Sequence, residues 1–142
     1  MRLLAAVVLA MGTLVAGDLK SVRAEPDLEK RSEKALQAAD EAFQSAKKAY
    51  KEGDAPAEAA GLASMREAVE LAMKSLEESG KDARRSPKYF KKAEIELRKL
   101  IRNLDDFRFA KSAEERKPAE ELLVVVHEAH DKVLLGIMTK KK

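Results

Sequence analysis

Two histidines, His127 and His130, stand near the end of this chain, with Asp131 four residues beyond the first. On a helix these spacings bring all three side chains to one face. Two imidazoles and a carboxylate are ligands that zinc, nickel or copper ions accept, so His127, His130 and Asp131 are the candidate metal ligands of the sequence. Glu128 points off that face. The set is also short of the four ligands of a structural zinc site, and the metalloprotease pattern, with its histidines four residues apart on a helix, is absent. The competing expectation is an ordinary amphipathic helix with one histidine at its edge and the other in water.

No other constellation points to chemistry. No serine lies in a Gly-x-Ser-x-Gly setting, no glycine loop is built to cradle a phosphate, and the carboxylates alternate with basic residues instead of forming an isolated pair. No catalytic residue and no cofactor are therefore assigned, and the chain is not expected to be an enzyme. It contains no cysteine, which excludes zinc–thiolate sites, iron–sulfur clusters, covalently attached haem and an N-terminal lipidated cysteine.

The elements that must carry these residues are helices. Asp54 with Pro56, Ser86 with Pro87, and Ser112 with Glu115 are helix-start signals, the last a capping box, while Gly53 and Gly80 are stops. They divide the chain into four segments, about 27–52, 55–79, 87–110 and 113–138. Each has an apolar stripe at three- and four-residue spacing. The first is mostly alanine with Leu36, Phe43 and Tyr50, and should allow close backbone approach; the second carries Leu62, Met65, Val69, Met73 and Leu76. The third, Phe90, Ala93, Leu97, Leu100, Ile101, Leu104 and Phe107, has a coiled-coil-like a/d pattern. The fourth, Leu122 to Met138, has the widest arc and is expected to be the most enclosed, and Pro118 should bend its start or set off a short separate turn. Opposite charges one turn apart, such as Glu94 with Arg98 and Lys74 with Glu78, suit solvated faces. The expected fold is all-α, an antiparallel up-down four-helix bundle.

In outline such a bundle is similar to the exported b-type cytochromes, which hold haem between a methionine on the first helix and a histidine on the last. The first helix here has no methionine, and Met65 and Met73 in the second read as core fillers.

The N-terminus has a different character. Arg2 is followed by an apolar run from Leu3 to Gly17 and a polar stretch ending in Val22-Arg23-Ala24, the pattern of a cleavable export signal. The run is short of the roughly 20 residues that span a bilayer. A signal peptide 1–24 is expected, with Val22 and Ala24 at the two small-residue positions and a cut after Gly17 as the alternative; residues 25–142 then form one domain. Removing 1–24 leaves 25 basic against 24 acidic residues, a balance that offers no field to steer nucleic acid. No nucleic-acid partner and no membrane span after signal cleavage are expected. Lys140 to Lys142 form a short basic tail.

The composition thus points to an exported protein, periplasmic or secreted, acting as an interaction or structural module. Its contact surface, to a partner or to itself, is expected on the first or the fourth helix. The alternative is a small periplasmic metal-binding protein using His127, His130 and Asp131.

Overall fold

The computed structural model describes residues 19–139; most of the expected signal peptide and the basic tail lie outside the described residues. The described chain is all-helical, without strands, and its four long helices pack together: α1 (Leu28–Lys51), α2 (Ala55–Glu78), α3 (Pro87–Ala110) and α4 (Lys117–Met138).

Local chemistry sets the boundaries. The Asp27 carboxylate accepts hydrogen bonds from the amides of Glu29 and Lys30, at 3.0 and 3.2 Å, and so caps α1. Between α1 and α2, Gly53 adopts φ +72°, a left-handed turn natural to glycine, and Asp54 accepts from the Ala57 amide at 3.1 Å to start α2. Gly80, at φ +69°, ends the second helix in the same way. Ser86 precedes α3 without capping it; its hydroxyl instead donates to the Glu29 carboxylate and ties the starts of α1 and α3 together.

At the start of α4 the short separate turn expected ahead of Pro118 is present, but the expected capping box is not. Ser112 and Glu115 do not form a capping box: the Ser112 hydroxyl donates to the Glu115 carboxylate at 3.1 Å, and residues Ala113–Glu115 make a 3₁₀ turn of their own. Helix α4 begins only at Lys117, with Pro118 in its first turn, where a missing amide proton costs nothing. The Arg116 side chain uses the intervening bend, its Nε donating to the carbonyls of Arg108 and Lys111 at 3.0 Å each and thereby satisfying the end of α3.

Helix α1 packs on α2 and α3, and α4 packs on α3 and α2. The α1–α2 interface is the most extensive and the closest. Gly61 lies so near Ala46 that a Cβ on Gly61 would stand 2.9 Å from the Ala46 Cβ and 3.0 Å from its Cα, which is the close approach an alanine face permits. Along α1 and α3 the contacts run start to start and end to end: Lys92 pairs with Glu33 at 2.6 Å, and Phe107 meets Phe43 and Tyr50 edge-on at 5.6 Å. Phe90, near the start of α3, lies over Gly136 near the end of α4.

The core joins Leu36 and Phe43 of α1, Met65 and Val69 of α2, Leu97, Leu100 and Leu104 of α3, and Val126 and Val133 of α4. The fourth helix is less enclosed than its apolar arc suggests. Leu122, Leu123, Val126, Ala129 and Val133 are buried, whereas Val124, Leu135 and Met138 are 58%, 67% and 68% exposed. The reason is geometric: α4 contacts two long helices, and its arc is wider than they can cover.

Upstream of α1, residues 19–23 are helical and lie against the α1–α2 pair. Leu19 sits beside Ala38, Ala42, Ser64 and Ala68, Val22 is equally buried, and Arg23 reaches Glu67 at 3.7 Å.

Candidate functional site

The three candidate ligands do not share one environment. His127 and Asp131 are exposed on α4, while His130 turns into the seam between α4 and α3. There its Nε2 lies 2.8 Å from Glu94 Oε2, and the two side chains are 15% and 17% exposed. Glu94 also receives Arg98 Nε at 3.1 Å. The hydrogen bond from His130 is the main cause holding the Glu94 carboxyl below its ordinary pKa; burial opposes this, and Arg98 adds to it. An ionised carboxylate can only accept, so Nε2 is the donor. Among the described residues, no group of three or more His, Asp or Glu side chains is arranged to hold a metal ion. What α4 presents to solvent is the two-residue set His127 and Asp131, one turn apart.

Glu94 is a partner that the sequence does not reveal: it lies 36 residues before His130 on another helix. Its only local signal is the i,i+4 relation to Arg98, which many exposed glutamates share.

A second polar cluster closes the end of the bundle where α1, α2 and α3 meet. Lys111, just past α3, has a side chain only 4% exposed; its ammonium pairs with the Glu58 carboxylate of α2, itself 12% exposed. The same Nζ stands 5.1 Å from the centre of the Tyr50 ring and 4.9 Å from that of Phe107. The Tyr50 hydroxyl donates to Glu115 at 3.4 Å, and burial, followed by the Glu115 charge, pushes its pKa up. The cluster uses Lys111 to bind neighbouring helices, and nothing in the sequence marks this lysine apart from its neighbours.

The surface hollows are shallow. One of about 250 Å³ lies between α1 and α3, lined by Leu36, Tyr89, Ala93 and Ile95 and bridged by the Lys92–Glu33 pair; it is smaller than the sites that enclose small molecules. Another, wider and more open at about 610 Å³, follows the end of α4, where Lys132 and Leu135 face Asp82 and Arg84 of the α2–α3 connection. On the outside of α3, Phe109 is 60% exposed, flanked by the guanidinium groups of Arg108 at 4.4 Å and Arg116 at 5.7 Å.

Among the described residues no helix is long and apolar enough to cross a membrane. No family model, curated protein or solved structure matches this chain.

Proposed function

We propose that this chain is an exported, non-enzymatic bundle protein, periplasmic or secreted, that acts as an interaction module through the outer face of α4. The reading rests on one observation: Val124, Leu135 and Met138 remain largely exposed although α4 is otherwise a core helix. Val124 and Leu135 lie about three turns apart and Met138 one turn further, all on one side of the helix, with His127, Glu128 and Asp131 exposed between them. A face that mixes exposed apolar and charged side chains in this way suits an amphipathic helix laid alongside α4. The alanine face of α1, the other candidate surface, is occupied by α2 and α3.

In this reading the helices alternate in direction, up-down-up-down, as two hairpins side by side. The start-to-start contacts of α1 with α3 and the Phe90–Gly136 contact support that arrangement.

The test is size-exclusion chromatography with light scattering on the exported protein, followed by its use as bait in envelope extracts. Self-association, or a retained partner that is lost in a Val124→Glu, Leu135→Glu variant, supports the reading. A monomer that retains nothing sinks it.

A second reading, a small metal-binding protein, is favoured by the exposure of His127 and Asp131 one turn apart on α4. Recruiting His130 would require breaking its bond to Glu94. Titration calorimetry with zinc, copper and nickel should then show binding that His127→Ala and Asp131→Ala abolish; heats indifferent to both substitutions dismiss it.

A further inference from the structure

We infer that residues 19–24 belong to the mature domain and that the export signal is removed at the Gly17–Asp18 bond rather than after Ala24. The inference rests on the export reading above, and it changes which residues the working protein contains.

The observation that carries it is the way residues 19–23 are built into the bundle. Leu19 and Val22, three residues apart, are each only 8% exposed, whereas Lys20, Ser21 and Arg23 between and beside them face solvent. That is the one-sided pattern of a packed amphipathic helix. It contrasts with the sequence from Leu3 to Gly17, which carries no charge and is broken only by Gly12 and Thr13, as the hydrophobic region of a signal is.

The contacts are specific to the folded domain. Leu19 comes against the α1–α2 pair, where it lines a small hollow together with Ala38 and Ala42 of α1 and Ser64 and Ala68 of α2. Both Leu19 and Val22 join the main core cluster. Arg23 pairs with Glu67 on α2, and the chain then turns through Glu25, whose backbone carbonyl accepts from Arg31 Nε at 2.8 Å. A cut after Ala24 would discard two core side chains.

The upstream bond has the residues a signal peptidase accepts. Val15 and Gly17 occupy the two small-residue positions before the cut, directly after the apolar run. Cleavage there is a peptide-bond hydrolysis by the host's protease and leaves Asp18 as the new N-terminus, with Leu19 next in the chain.

The experiment is expression of the whole chain in an exporting bacterium, with intact mass and N-terminal sequence determined on the protein recovered from the periplasm or medium. A product beginning at Asp18 is expected. One beginning at Glu25 overturns the assigned bond while leaving export intact; an uncut chain retained in the cytoplasm overturns the export reading and this inference with it. A second measurement is independent of sequencing. Leu19→Ala and Val22→Ala, introduced together into the whole chain, should lower the melting temperature of the recovered protein by about 5–10 °C, and an unchanged melting temperature overturns the inference.

Discussion

The ammonium of Lys111 and the carboxylate of Glu58 meet inside the end of the bundle, beneath the rings of Tyr50 and Phe107. Lysine seldom gives up its water unless paired, and here the pair fastens the residue after α3 to the first turn of α2. Removing one partner leaves a buried charge without compensation, whereas replacing both by apolar groups of similar volume removes the desolvation cost as well. Glu58→Ala is therefore expected to destabilise by about 2 kcal/mol, and the double substitution Glu58→Leu, Lys111→Met to restore most of that loss. Denaturant midpoints of the three proteins check this; a double variant as weak as the single one would contradict it.

Gly61 is the contact point of the closest helix pair. Alanine is the better helix former by about 1 kcal/mol, yet its methyl would have to enter at 2.9–3.0 Å from Ala46, partly against backbone. Spreading α1 from α2 costs more than the propensity returns, so Gly61→Ala should lower stability by about 1–2 kcal/mol. Thermal melting measures the sign. At Gly53, where a Cβ would meet nothing within 4 Å, any loss on substitution by alanine comes from the left-handed backbone alone.

Acid should weaken the bundle in a defined window. The carboxyl of Glu94 is held below its ordinary pKa by His130, and that of Glu29 by hydrogen bonds from Ser86 and then Lys81. A depressed carboxyl pKa contributes stability that is fully present above the unfolded-state value, near 4.3, and is lost as pH falls through the lower folded value. Stability should accordingly fall from about pH 5 downward. Glu94→Gln should lower the melting temperature at neutral pH and flatten this acid limb. Melting curves at a series of pH values decide it, and a limb of unchanged slope would show that Glu94 is not a source.

The outer face of α4 should be dispensable for folding. Val124 and Leu135 are 58% and 67% exposed, so glutamate at both positions is expected to shift the melting temperature by no more than a few degrees. Circular dichroism melts test this, and a large loss of stability would mean that these side chains serve the core rather than a docking surface.

Much of the architecture could be read from punctuation and periodicity. Gly53 followed by Asp54 and Pro56, and Ser86 followed by Pro87, mark helix limits through backbone chemistry that acts within a few residues. The stripe of α3 from Phe90 to Phe107 needs only the helical repeat. The start of α4 was harder, because Ser112 and Glu115 satisfy a capping pattern while Pro118, three residues on, suits a first helical turn better than an interior one. Side-chain partnerships were least legible. His130 with Glu94 and Lys111 with Glu58 are pairs 36 and 53 residues apart in sequence, and such pairings follow from how the helices settle against one another. The width of α4's arc was visible, but not that only two helices would cover it.

The close meeting of Gly61 and Ala46 also bears on the order in which the fold comes apart. With the tightest and largest interface of the molecule between them, α1 and α2 form a local cooperative unit whose backbone amides should be the last to trade protons with solvent. Helices α3 and α4, joined through a smaller interface, can open together while the first hairpin stays closed. Such a half-open state would bare the inner faces of both hairpins at once, and two molecules in that state could exchange their second hairpins, using the connection between Ser79 and Ser86 as the hinge.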